Sequence, residues 1–87
     1  MKITRQIAAR KLDAYLKSRL TLAKLVDWAE DAMCAGEFEA GHVATLREVV
    51  GRLGLADVRA FSLGWDECTR LLRRLGYRAR VEVLRRA

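Results

Sequence analysis

Residues 77–83, near the end of the chain, constrain the fold more than any other stretch. Apolar and charged side chains alternate there in the order YRARVEV, which is the period of a half-buried β-strand. The other patterned stretches have helical spacing, so this strand has no evident partner elsewhere in the chain. An unpaired strand exposes backbone donors and acceptors that another chain can bind. The pattern therefore predicts that another segment or another molecule completes the strand.

Four helices are predicted by apolar residues that recur three and four positions apart. We expect them over residues 4–18, 22–35, 40–53 and 65–75, with a short helical turn over 56–61. Thr21 is placed to cap the second helix with its hydroxyl group. Gly36 follows that helix, where we expect a left-handed residue. The chain contains no proline, which suits a fold made mostly of uninterrupted helices.

The expected fold class is α+β and mostly α, a small four-helix domain with a C-terminal β-strand. The 87 residues are enough for a single domain, residues 1–87, and leave no room for a second. A chain of this size buries only about two-thirds of its surface on folding, so a dimer interface would add needed apolar burial. We predict a homodimer with antiparallel Tyr77–Val83 strands. Pairing of that strand with Met1–Thr4 is the internal alternative.

Hydropathy and cysteine content indicate the cellular compartment of the protein. No run approaches the ~20 apolar residues of a membrane span, so we expect no membrane partner. Cys34 and Cys68 are the only cysteines, and both lie on apolar faces of predicted helices. We expect two buried thiols in a reducing compartment. The sequence thus predicts a cytoplasmic protein.

The net charge of +6 is unevenly distributed along the chain. Residues 1–44 carry seven basic and six acidic side chains, whereas residues 45–87 carry ten and five. Residues 25–46, the acidic middle of the chain, contain no lysine or arginine. Within them, Asp27, Glu30 and Asp31 share one helix face because they are spaced i, i+3 and i+4. Such a face is most often simply solvated, but it also offers contacts to a basic partner.

Signatures of catalysis and of metal binding are weak. Glu39 and His42 have the i, i+3 spacing found in carboxylate-bridged di-iron bundles, but one such motif with a single histidine does not build that site. The cysteines and His42 lack a short-spaced pair of zinc ligands. No nucleophile motif or phosphate-binding glycine loop occurs. We therefore expect no enzyme, and no catalytic, cofactor-binding or metal-binding residues.

Arginine dominates the second half of the chain and raises the question of nucleic-acid binding. Residues 46–55 look like the first helix and turn of a helix-turn-helix motif, but Gly64 breaks the stretch that should follow, and a helix ended by glycine is the preferred interpretation. A basic patch on the last helix and the strand is the better case, since it would release counterions from phosphate. It would comprise Arg70, Arg73, Arg74, Arg78 and Arg80.

The leading hypothesis is a non-catalytic protein–protein interaction module, a small regulatory or neutralising binder. Its contacts would be the strand edge and the acidic face of the second helix, with Trp28 and Trp65 as aromatic candidates for an interface. The alternative is a nucleic-acid-binding protein that uses the arginine-rich C-terminal surface. The strand-edge residues are Tyr77, Ala79, Val81 and Val83.

Overall fold

The computed structural model describes residues 1–81 and Val83, and this part of the chain is mostly helical. Its elements are β1 (Lys2–Ile3), α1 (Arg5–Leu16), α2 (Leu22–Ala35), β2 (Glu37–Phe38), α3 (Val43–Leu53), a 3-10 turn (Arg59–Phe61) and α4 (Trp65–Arg74). The four predicted helices are all present, and α2 has the predicted bounds. None of the helices in the described part of the chain is both long and apolar enough to cross a bilayer.

Threonine hydroxyl groups begin the first two helices. The Thr4 hydroxyl accepts a hydrogen bond of 3.1 Å from the Ile7 N–H, and the Thr21 hydroxyl accepts one of 3.2 Å from the Lys24 N–H. Each bond satisfies a donor that the first helical turn leaves without a partner. The predicted cap at Thr21 is therefore confirmed, and α1 starts one residue later than predicted because Thr4 is its cap.

A small parallel sheet, which the sequence pattern did not predict, joins the N-terminus to the segment after α2. Lys2 lies beside Glu37 and Ile3 beside Phe38. Ile3 is therefore a strand residue and not part of the stripe of α1, although it is fully buried as that stripe implied. The extended N-terminal segment pairs with β2 along one edge, and the sheet has two strands in the described residues. Pairing of the C-terminal strand with Met1–Thr4 stays a prediction.

The core lies between the four helices, and α2 with α3 forms the most extensive helix pair. Every buried residue in the described chain is apolar or cysteine, so no buried charge has to be compensated. The largest fully buried side chains are Ile3, Leu12, Leu25, Leu46, Val49, Val50, Leu53, Cys68, Leu71 and Leu75.

Three expectations about burial are wrong. The apolar spacing of α2 and α3 predicts that Met33 and Val43 face the core, but the two residues are exposed, at 40% and 39%. Cys34 is exposed as well, whereas Cys68 is buried. All three residues lie at the margins of their apolar stripes, where spacing alone does not show how far a neighbouring helix extends.

The end of α4 turns the chain sharply. Gly76 has φ of +91°, its N–H bonds to the Arg73 carbonyl, and the Tyr77 N–H bonds to the Leu72 carbonyl at 2.9 Å. This pair of bonds is a Schellman motif, which requires a left-handed residue and therefore favours glycine. Gly36 was expected in the same conformation, but its φ is −78°. The turn at Gly76 directs residues 77–81, here called the C-terminal segment, toward α1.

The packing of α2 can be tested at Leu25, which is fully buried. Leu25→Ala should lower the free energy of unfolding by about 2–5 kcal/mol, because it removes apolar contacts and leaves a cavity. The measurement is urea denaturation followed by circular dichroism. Leu55→Ala is the matched control, since Leu55 is 45% exposed and should lose less than about 1 kcal/mol. Equal losses at both positions would contradict the assigned core.

Candidate functional site

A groove of about 890 Å³ lies between α1, α4 and the C-terminal segment. Charged residues stand on two of its walls, Arg10 and Lys17 from α1 and Arg78 and Arg80 from the C-terminal segment. The apolar residues that line it are Ala9, Leu16, Trp65, Leu72, Tyr77, Ala79 and Val81. The groove therefore combines apolar surface with an excess of positive charge.

The α1 wall presents one helix face. Gln6, Arg10, Asp13 and Lys17 recur at three- and four-residue spacing, so they lie in a row over about 16 Å. The Lys17 ammonium forms an ion pair of 3.1 Å with Asp13, whereas Arg10 has no ion pair within the described residues. Helical spacing predicts Arg10, Asp13 and Lys17 on the polar side of the first helix, but it does not connect them with the C-terminal arginines.

The residues predicted for the strand edge differ in their exposure to solvent. Ala79 packs against the core, Tyr77 is 42% exposed, Val81 66% and Val83 93%. The backbone has no regular strand over 77–81 or at Val83, and Glu82 of the predicted strand lies outside the described residues. Pairing between two molecules is not visible in a single chain, so the predicted dimer stays a prediction.

The backbone of the C-terminal segment is nevertheless open to pairing. After the bond from the Tyr77 N–H to Leu72, no backbone hydrogen bond involves Arg78, Ala79 or Val81 within the described part of the chain. Open backbone groups beside exposed apolar side chains are the features that allow a strand to be added.

The arginines predicted to form one patch are divided by the structure. Arg74 donates two hydrogen bonds to Glu48, at 3.0 and 2.8 Å, and Arg70 pairs with Glu67. Arg73 is exposed on α4, while Arg78 and Arg80 line the groove. Arg70 and Arg74 are thus balanced by carboxylates, which weakens a phosphate-binding surface on α4.

The acidic face of α2 is solvated. Asp27, Glu30 and Asp31 are all exposed, and none has an ion pair within the residues that the structure describes. They remain accessible to a basic partner, but the structure adds no further feature that points to a ligand there.

Trp65 is the aromatic residue best placed for an interface. It is 46% exposed and lines both the groove and a smaller cavity of about 440 Å³ beside the turn between α1 and α2. Trp28, by contrast, is half-buried with the Lys11 ammonium 5.6 Å from the centre of its ring. Half-exposed tryptophan with a free ring face is enriched among residues that dominate binding energy.

Glu39 links the segment after β2 to the first residue of α1. Its carboxylate accepts hydrogen bonds from the Arg5 backbone N–H at 3.1 Å and from the Arg5 guanidinium at 3.3 Å. The backbone bond is the main reason that the pKa of Glu39 lies below its ordinary value, and the Arg5 and His42 charges lower it further. No cluster of metal ligands occurs within the described residues, and the Glu39–His42 pair gains no third ligand.

Cys68 has the environment of a structural thiol. Burial raises its pKa, and the nearby Glu67 carboxylate raises it further, while Arg52 acts in the opposite direction. A raised pKa keeps the thiol protonated and makes it a poor nucleophile.

The chain matches no protein-family model, no curated protein and no solved structure.

Glu39→Gln tests the contact between Glu39 and Arg5 at the start of α1, because the contribution of this contact to stability depends on pH. The pKa of Glu39 in the folded protein is below its ordinary value of 4.5, so the carboxylate stabilises the fold above that pH and loses this effect as the pH falls below it. We expect the wild type to be more stable than Glu39→Gln at pH 7, with the difference shrinking as the pH falls below 4.5 because the carboxylate is then progressively protonated.

Denaturant unfolding across this pH range measures the effect. Glu37→Gln is the matched control, because Glu37 is exposed and has no ion pair in the described part of the chain. A stability difference for Glu39→Gln that does not change with pH would show that the carboxylate charge has no role.

Proposed function

We propose that the protein is a non-catalytic protein–protein interaction module that binds through its C-terminal segment, in the first place to a second copy of itself. The observation that carries this proposal is the backbone of Arg78, Ala79 and Val81, which lacks backbone partners within the described residues. Beside it lie the exposed side chains of Tyr77 and Val81.

Two physical reasons favour pairing with another chain. Backbone donors and acceptors on an open edge gain hydrogen bonds when a second strand is added, and alternate side chains of the added strand find apolar contacts. In addition, apolar and charged residues alternate over 77–83. In an extended chain, this alternation places the apolar side chains on one face, namely those of Tyr77, Ala79, Val81 and Val83. Two such edges related by a two-fold axis would be self-complementary.

Proline substitutions test the role of the backbone. The N–H groups of neighbouring strand residues point to opposite sides, so Arg80→Pro and Val81→Pro each remove a donor from a different side. We expect one of them to weaken the dimer about tenfold or more, as measured by light scattering over a concentration series. Arg80→Ala and Val81→Ala are the matched controls, which make the same side-chain losses but keep both N–H groups, and each should weaken the dimer less than the proline at the same position.

The mass of the wild-type protein decides the first part of the proposal. A mass of one chain, 9.9 kDa, at every concentration tested would contradict the homodimer. A dimer that tolerates both prolines would show that the two copies meet through a different surface.

Nucleic-acid binding is the second candidate, and a specific observation favours it. Arg73 and Arg78 are exposed and have no ion pair within the described residues, while Arg80 lies beside Arg78 on the groove. Trp65 and Tyr77 offer exposed rings on which single-stranded bases can stack.

A binding assay with labelled single-stranded and duplex DNA separates the two functions. If the second candidate is right, binding should weaken steeply with salt, and Arg73→Glu with Arg80→Glu should weaken it at least about tenfold. Arg47→Glu with Arg59→Glu is the control, since it changes the net charge equally at two exposed positions. No binding at low salt would exclude this candidate.

A further inference from the structure

The groove has a positively charged wall on each side of an apolar floor. Arg10 projects from the α1 side and Arg78 from the C-terminal segment, and neither has an ion pair within the described residues. The apolar lining of the groove, here called its floor, includes Leu16 of α1, Leu72 of α4 and Ala79 of the C-terminal segment. Trp65 also lines the groove and is half-exposed.

The charges of the groove select the kind of partner. Lys17 is engaged by Asp13, whereas Arg10 and Arg78 have no ion pair within the described residues. A cationic or neutral partner would leave Arg10 and Arg78 unmatched, whereas carboxylates at the edges of a partner would complement them. The apolar floor requires that the same partner also carry aliphatic or aromatic side chains.

We infer that this groove binds an amphipathic helix of another protein whose apolar stripe is flanked by carboxylates on both sides. The two separate basic walls favour a helix, because a helix can present acidic residues on both sides of one apolar stripe. A strand presents only one row of side chains to such a floor. The row from Gln6 to Lys17 extends over about 16 Å, which matches about three turns of a bound helix.

This inference rests on the proposed function as a protein-interaction module and names the chemistry of a second partner. The groove and the homodimer both use the C-terminal segment, but different groups test them. Binding in the groove depends on the side chains of Arg10, Arg78 and Trp65, whereas the pairing of two copies depends on the backbone of the C-terminal segment.

The full-length protein can be titrated into a fluorescein-labelled, helix-forming peptide of about 14 residues. In this probe, leucines form one stripe and glutamates flank it on both sides. Three further probes are the same peptide with lysine in place of glutamate, a peptide of identical composition in which the stripe is scrambled, and an oligothymidylate of similar charge. Fluorescence anisotropy gives the affinity, and light scattering on the same samples gives the oligomeric state.

We expect the acidic amphipathic peptide to bind at least about tenfold more tightly than the lysine and scrambled peptides. Arg10→Glu and Arg78→Glu should each weaken this binding about tenfold, and Trp65→Ala about tenfold or more. Arg47→Glu is the matched control at an exposed position outside the groove and should have little effect. Circular dichroism of each variant verifies that the fold is retained.

Several results would overturn the inference. These are equal binding of the scrambled peptide, an equal loss with Arg47→Glu, absence of peptide binding, or tighter binding of the oligothymidylate. If the protein is a dimer and no peptide binds, the groove inference fails while the proposed pairing stands. If the peptide binds a protein that remains a monomer, the groove inference stands and the homodimer fails.

Discussion

The close packing of Ile3 against the end of α2 is the contact on which the rest of the structure depends. A Cβ atom at Gly36 would lie 2.9 Å from Ile3 Cγ1 and would also collide with the Ala32 carbonyl oxygen. Glycine is therefore required at this position for close approach, and not for a left-handed backbone, since its φ is −78°. With the side chain absent, β1 reaches β2, and the Glu37 N–H donates to the Met1 carbonyl at 2.7 Å. The bonds from Arg5 to Glu39 then attach the start of α1 to the segment between α2 and α3.

The position of α1 in turn determines the groove, because α1 supplies one of its walls. The opposite wall depends on the Schellman motif at Gly76, which directs the C-terminal segment toward α1. The position of Trp65 depends on a third set of contacts. In these, the Arg52 guanidinium donates hydrogen bonds to the carbonyl oxygens of Phe61 and Ser62, at 2.6 and 3.4 Å. The same guanidinium lies 3.8 Å from the Glu67 carboxylate. These bonds hold the connection between α3 and α4 and so place the first residue of α4.

Helical periodicity was a reliable guide wherever a helix has a continuous buried stripe. The stripe of α2 includes Leu25, Val26 and Ala29, all buried, and its bounds were predicted from spacing, a threonine cap and a following glycine. Spacing failed at β1 and β2, because each strand has two residues and alternation cannot be recognised over so short a length. It also could not show that Glu39 meets Arg5, since that contact joins positions far apart in the chain.

The sequence by itself determined the helical content, the threonine cap of α2, most of the buried core and the exposure of the acidic face on α2. Each of these follows from local spacing or from a bond within one helical turn, so neighbouring residues contain the information. The tertiary structure decided which basic residues act together. It paired Arg74 with Glu48, and it brought Arg78 and Arg80 to the same groove as Arg10. The reason is that a groove exists only where elements distant in sequence pack side by side, and their relative positions depend on the packing of Ile3 at Gly36 and on the turn at Gly76.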